Sequence, residues 1–390
     1  MAKPIPSHAT PVMLKWARES SALSLPDVAR AIGISEQTLI DWESGKGSPS
    51  IAKLRILAKR YKRPLMVFYL TSPPMGFTVV KDFRTLPHEN RDFSPSLTLA
   101  IRVAQERQAW AEEVAREEGD QALNYVGSKT IESAAHEVAE SIRAKLGITT
   151  DALSAIGDPR KAFGLWRSRI ESIGCFVFQV PGIDVKEMRG FALPNRFAPV
   201  IVVNIRDSFA ARIFTMIHEL SHIYLGETAV TGAGKFQFAP YTRNPTEKFC
   251  NRVAAATLVP AKELKLGVPD NWKQNGDDVI RDLAGKYKVS RAVILIRLFE
   301  TGLADRGYVG RKFAAFNRPP KPKRRRAGGG PTRPQVILSR SGVAFSSLVV
   351  SAYQSGVIHG GELSSLLSMK MKHLAALEHR IFAGQQAGPP

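Results

Sequence analysis

The chain has 390 residues, 44% of them apolar and 23% charged, with a net charge of +20. That length exceeds what one hydrophobic core normally spans, so two or three domains are expected, and the composition excludes a disordered or collagen-like chain. Two cysteines exclude a disulfide framework, and the lack of a long apolar run or an apolar N-terminal segment predicts a cytoplasmic protein with no membrane partner.

From Val12 to Leu70 the apolar positions predict a compact all-α unit. Leu14, Trp16 and Ala17 mark a first helix, and Pro26 to Ile32 a short second one ended by Gly33. Ser35 caps a third helix over Glu36 to Glu43, and Leu54, Leu57 and Ala58 lie on a fourth. Two short helices around the Gly33-Ile34-Ser35 turn make a helix-turn-helix. The stretch from Leu25 to Ser50, with Trp42, Glu43, Gly45 and Pro49 in its tail, resembles the XRE-type (Cro-like) DNA-binding domain. The resemblance implies that residues 10–70 bind double-stranded DNA. It places Glu36, Gln37 and Thr38 towards the major groove, with Gln37 suited to adenine and Lys46 to phosphate. One feature works against this: the third helix carries Glu36, Asp41 and Glu43 and no Lys or Arg. The basic residues cluster instead at Lys53, Arg55, Lys59, Arg60, Lys62 and Arg63. The alternative role for the unit is protein contact, a homodimer included.

Pro73 and Pro74 end this unit, and residues 71–154 are expected to form a helical connector. One helix opens at Ser94-Pro95 and runs to about Glu118; a second spans Thr130 to Leu146 and stops at Gly147. His136 has no partner histidine at helical spacing, so no chemistry is expected here.

Residues 155–310 predict a small α+β domain. A helix from Ala162 to Ile173 precedes strands at Cys175–Val180, Arg189–Leu193 and Pro199–Asn204, and Asp207 is the expected cap of a helix starting at Ser208. That helix contains His218-Glu219-Leu220-Ser221-His222. Histidines four apart lie on one helical face, one turn above the other, so both can ligate a single ion. Glu219 can reach a water on that ion without being a ligand. Chance yields this pattern roughly 0.01 times in a chain of this composition. A catalytic zinc takes three protein ligands and keeps a position for water, so a third ligand is needed. Glu247 stands in the first turn of a helix capped by Asn244 and opened by Pro245. Asn244-x-x-Glu247 also fits a capping box, which needs no metal, and the residues alone leave these two readings even.

His218-Glu-Leu-Ser-His222, followed 25 residues later by Glu247-Lys-Phe-Cys-Asn-Arg-Val-Ala-Ala-Ala-Thr-Leu-Val-Pro260, resembles the ImmA/IrrE family of zinc metallopeptidases. The resemblance covers about residues 155–310 and implies that Glu247 joins His218 and His222 in holding Zn²⁺. Cys250 and Val253 depart mildly from the family pattern, while Glu247 and Asn251 keep it. Such a site implies attack of a zinc-bound water on a peptide carbonyl, with Glu219 as general base. The oxyanion needs a donor, and Tyr224 and Tyr241 are the candidates.

Asp278 to Leu298 resembles a second helix-turn-helix around Val289-Ser290, expected to close the metal domain. Residues 311–334 form a basic Pro/Gly-rich linker; the span 311–340 holds ten Lys or Arg and no acid, which favours a polyanion. Residues 335–390 return to amphipathic helices without a chemical motif. The expected fold is mainly α: an N-terminal helix-turn-helix, a central zincin-like α+β domain with H-E-x-x-H, and C-terminal helices. This fusion resembles a class of bacterial and phage regulators, some of them antitoxins. The expected function is a DNA-binding transcriptional regulator whose zinc endopeptidase domain cleaves a protein partner or itself. The alternative is a repressor or antitoxin that holds a toxin, encoded nearby, or a ligand through the peptidase fold with little turnover.

Overall fold

A computed structural model describes residues 6–74, 93–231, 244–316 and 330–386. The chain divides into two compact units at residues 106 and 107.

The first unit contains α1 (Pro11–Glu19), α2 (Leu25–Ile32), α3 (Glu36–Glu43), α4 (Ile51–Tyr61) and a 3-10 turn at Leu65–Tyr69. Serines start three of these helices: the hydroxyls of Ser24, Ser35 and Ser50 accept from the amides of Asp27, Thr38 and Lys53. Gly33 turns the chain between α2 and α3 with φ +67°, a left-handed conformation in which a side chain would be strained. Leu14, Val28, Leu39, Leu54, Leu57 and Phe68 form the core. Arg18 on α1 grips Glu43 on α3 through two bonds of 2.8 Å, fixing the angle at which α3 is presented.

α5 (Pro95–Glu117) runs across the division. The second unit then holds α6 (Ala135–Leu146), α7 (Thr150–Ser154) and α8 (Pro159–Ser172), followed by β1 (Phe176–Val180), β2 (Gly190–Leu193) and β3 (Val200–Asn204). Next come α9 (Phe209–Leu225), β4 (Ala229–Thr231), α10 (Pro245–Leu258), α11 (Ala261–Gly267), α12 (Gly276–Tyr287), α13 (Arg291–Glu300) and α14 (Arg306–Phe316). The sheet order is β1-β3-β2-β4, with β1 parallel to β3 and the other pairs antiparallel. Every residue of β3 is buried, as its unbroken apolar run requires of a strand covered on both faces.

Helix α9 lies on this sheet, and α10 packs between α9 and α6. The small residues Ala254, Ala255 and Ala256 let the helices approach closely, and Val138, Ala139 and Ile142 of α6 enter the same core. α6, expected in the connector, is thus a wall of the metal domain. It also starts later than expected, at Ala135, because Thr130 to Ser133 form a separate turn closed by the Ser133 hydroxyl. Two arginines hold the end of α10: Arg143 donates to Thr257 O at 3.1 Å and Arg297 to Val259 O at 2.9 Å, satisfying carbonyls that the helix leaves unpaired.

The C-terminal helices α15 (Arg333–Ser341), α16 (Val343–Gln354), α17 (Gly360–Leu366) and α18 (Leu374–Gln386) belong to the same unit. α15 packs against β1, where Arg167 donates to Leu338 O and Ser339 O and Gln179 donates to Ser339 O. Glu171 accepts from the amides of Val343 and Ala344, satisfying the first turn of α16. Phe345, fully buried, meets Phe176 and Phe178 edge-on. No single helix among the described residues is long and apolar enough to cross a membrane. The basic run at 318–326 lies outside the described residues.

Candidate metal centre and nucleic-acid interface

Helix α9 starts at Ser208, whose hydroxyl accepts from Ala211 N. The expected cap, Asp207, is engaged elsewhere: Arg189, the residue before β2, donates to it at 3.0 Å, which joins the start of the strand to the helix start. The helix ends at Gly226, in a left-handed conformation with φ +72°. Ile213, Met216, Ile217, Leu220 and Ile223 are fully buried and anchor α9 in the core.

This anchoring carries His218, Glu219 and His222 into the interior, where each is at most 1% exposed. The two Nε2 atoms are 3.2 Å apart. From α10, the Glu247 carboxylate reaches them at 3.4 Å from His218 Nε2 and 3.7 Å from His222 Nε2. One ligand atom from each of the three residues lies within 4.8 Å of the others. Asn244 caps α10 by accepting from the amides of Thr246 and Glu247, while the Glu247 side chain reaches across to the histidines. Two imidazoles and one carboxylate, all buried, form a donor set that suits zinc.

The surroundings tune this cluster. Burial opposes protonation of His218, but hydrogen bonding and charge from Glu247, with help from Glu219 and Asn251, raise its pKa. Asn251 lies one helical turn beyond Glu247 and adds the smallest of the contributions that raise the His218 pKa, so α10 acts on that histidine from two positions. Cys250 is fully buried, and burial together with the charges of Glu247, Glu219 and Glu227 keeps its thiol protonated. It is not among the residues whose ligand atoms converge. Tyr224 follows His222 by two residues and so lies on the other side of α9. Its ring packs 5.2 Å from that of Tyr125, and burial pushes its pKa up to about 12, so the hydroxyl stays protonated within the core. Tyr241 lies outside the described residues.

Gly190 of β2 escapes a reading of the sequence, where it looks like any strand glycine. A Cβ placed there would collide with the Thr215 methyl and lie 2.9 Å from Val202 O and 3.1 Å from Glu219 Oε1. The missing side chain lets α9 settle on the sheet with Glu219 directly over the strand. Gly190→Ala is expected to destabilise the protein by about 1–3 kcal/mol through overpacking. Chemical denaturation would measure it; unchanged stability would mean that α9 sits less tightly on β2 than these distances require.

In the first unit, Glu36 and Gln37 are exposed on α3, and Lys46 is exposed just beyond it. Gln37 Nε2 donates to Asp41 Oδ1 at 2.9 Å, a contact that holds its amide along the helix face. Thr38 is half-buried, with its hydroxyl 2.8 Å from Ser35 Oγ at the helix cap. The acid-rich character of α3 is smaller than its sequence suggests, because Glu43 turns inward to Arg18. The basic cluster shrinks too: Lys53 donates to Ile32 O at the end of α2, and Arg63 is buried 4.4 Å from the Trp16 ring. Arg55, Lys59, Arg60 and Lys62 remain exposed. Ile40, 40% exposed and one turn beyond Gln37, adds an apolar group to the same surface.

Residues 14–68 match the helix-turn-helix family, and residues 171–299 match the IrrE N-terminal-like domain family. No curated protein matches the chain. The second match spans β1, β2, β3, α9 and α10, the elements that bring His218, His222 and Glu247 together. In this order, the chain therefore carries a stretch similar to XRE-type helix-turn-helix domains and a stretch similar to the IrrE-type domain of metallopeptidase-like fold.

Proposed function

We propose that the protein is a DNA-binding regulator whose second unit is a zinc-dependent endopeptidase acting on a protein partner or on the chain itself. One observation carries this reading: His218, His222 and Glu247 converge in the interior, where the buried carboxylate of Glu219 acts electrostatically on His218. His218, His222 and Glu247 would hold the ion. Bound there, zinc supplies Lewis acidity, lowering the pKa of a coordinated water towards about 7 and polarising the substrate carbonyl. Glu219 takes the proton from the attacking water and returns it to the leaving amine. Its position, one residue after His218 on a rigid helix, would let the carboxylate work as a base rather than as a ligand. Treatment with a chelator is expected to abolish partner cleavage while DNA binding persists, and added Zn²⁺ to restore cleavage. Cleavage that survives complete metal removal would exclude the mechanism. A partner that binds stoichiometrically and is never cut would instead favour a holding role for the peptidase fold.

For the first unit, the exposed amide of Gln37 reads adenine, Ile40 offers its side chain to a thymine methyl, and Lys46 meets phosphate. Gln37→Ala is expected to reduce discrimination between operator and random duplex by about 1–3 kcal/mol, the worth of one bidentate pair. Competition titrations measure this; an unchanged ratio would move base reading away from Gln37.

A further inference from the structure

The C-terminal helices contain a feature that the metal chemistry does not use. A pocket of about 410 Å³, open to solvent, is lined by Arg333, Ser364, Ser368, Lys370, Lys372 and His373, with Met369 beneath. Three permanent cations, one imidazole and two hydroxyls thus line a single concavity, and no carboxylate lines it among the described residues. Like charges that converge without a counter-charge raise the local potential and favour an anion. The acids of this region are engaged elsewhere: Glu362 pairs with His359, and Glu378 accepts from Gln354.

The pocket is partly organised in advance. Arg333 Nη2 donates to Ser368 O at 3.0 Å, which holds the guanidinium at the rim. A guanidinium has five N–H donors, so this one contact leaves others for an oxyanion. The Ser364 and Ser368 hydroxyls add donors that do not depend on charge. His373 directly precedes α18, whose N-terminal end adds partial positive charge on this side. Charged groups with short hydroxyl donors in an open concavity match a tetrahedral oxyanion better than a planar or apolar ligand.

We infer that this pocket binds a phosphoryl group, and that the group belongs to the backbone of DNA engaged by the same chain. The inference rests on the DNA-binding reading of the first unit. Openness favours a polymer phosphate, since a strand can cross the pocket without being enclosed. The C-terminal helices would then be a second, sequence-independent contact that adds affinity without adding base specificity.

The test uses the full chain and a random-sequence duplex, titrated at several salt concentrations. The triple variant Arg333→Gln, Lys370→Gln, Lys372→Gln is expected to bind about tenfold more weakly at low salt. The slope of log affinity against log salt is expected to flatten by about 1 to 2, as one or two fewer phosphates are neutralised. Lys370→Arg with Lys372→Arg keeps the charge and should keep the wild-type slope, and circular dichroism checks the fold of each variant. An unchanged slope and affinity in the triple variant, with salt-dependent binding in the wild type, overturns the pocket and leaves the DNA-binding reading standing. No DNA binding by the wild type at all removes that reading and this inference with it. Inorganic phosphate and a nucleoside triphosphate provide the other arm. If either binds and is lost in the triple variant while the DNA slope is unchanged, the pocket takes a free phosphate and the DNA assignment is wrong.

Discussion

Glu247→Ala is expected to reduce zinc from one ion per chain to a small fraction of that under conditions that load the wild type. Losing an outer partner of a metal ligand already costs about 10–100-fold in affinity, so losing a ligand should cost more. The variant should still fold, because α10 is capped by Asn244, which accepts from the amides of Thr246 and Glu247 whatever side chain residue 247 carries. Metal content and thermal unfolding of the apoproteins therefore separate two roles. Loss of zinc with an unchanged apoprotein melting temperature marks a ligand. Retained zinc with a lowered one would mark a capping residue, and would return Glu247 to the capping-box reading that its sequence position also permits.

Glu219→Gln tests the chemistry at a neighbouring position with a different signature. The change preserves shape, so zinc and DNA should bind as in the wild type, but an amide cannot take a proton from water. General acid–base catalysis contributes about 10²–10⁴-fold, and peptide cleavage should fall by at least that much. Because Glu219 is fully buried over Gly190, the amide also tests how closely the strand packs beneath it. Lost zinc in this variant would show that the carboxylate helps to hold the ion. Cleavage at the wild-type rate would exclude it as the base.

Much of this site can be read from the sequence because its determinants are local. His218 and His222 are related by helical period alone, and Asn244 and Pro245 mark the start of α10 by backbone chemistry that needs no tertiary partner. The serine caps and Gly33 place the helix-turn-helix in the same way. Other features depend on residues distant in the chain. Asp207 and Ser208 are both good caps, and the choice falls to Ser208 because Arg189, just before β2, takes the carboxylate. Glu43 looks like a surface acid until Arg18 meets it. Gly190 acquires its importance from Thr215 and Glu219, which belong to a helix laid across the strand. The apolar stripe of α6 shows that it packs but not against what; its partner, α10, lies more than a hundred residues further along. Nothing local in α15 or α16 announces that Arg167, Glu171 and Gln179 will receive them on β1 and α8.

The buried cluster is proposed to cut a peptide bond in a cellular protein. The most direct test compares protein N-termini, by mass spectrometry, in cells producing the wild type and cells producing Glu219→Gln at equal levels. At least one new internal N-terminus, in a partner or in the chain itself, is expected to accumulate with the wild type and to be missing with Glu219→Gln. Identical sets of N-termini in the two, with zinc bound in both proteins, would contradict it.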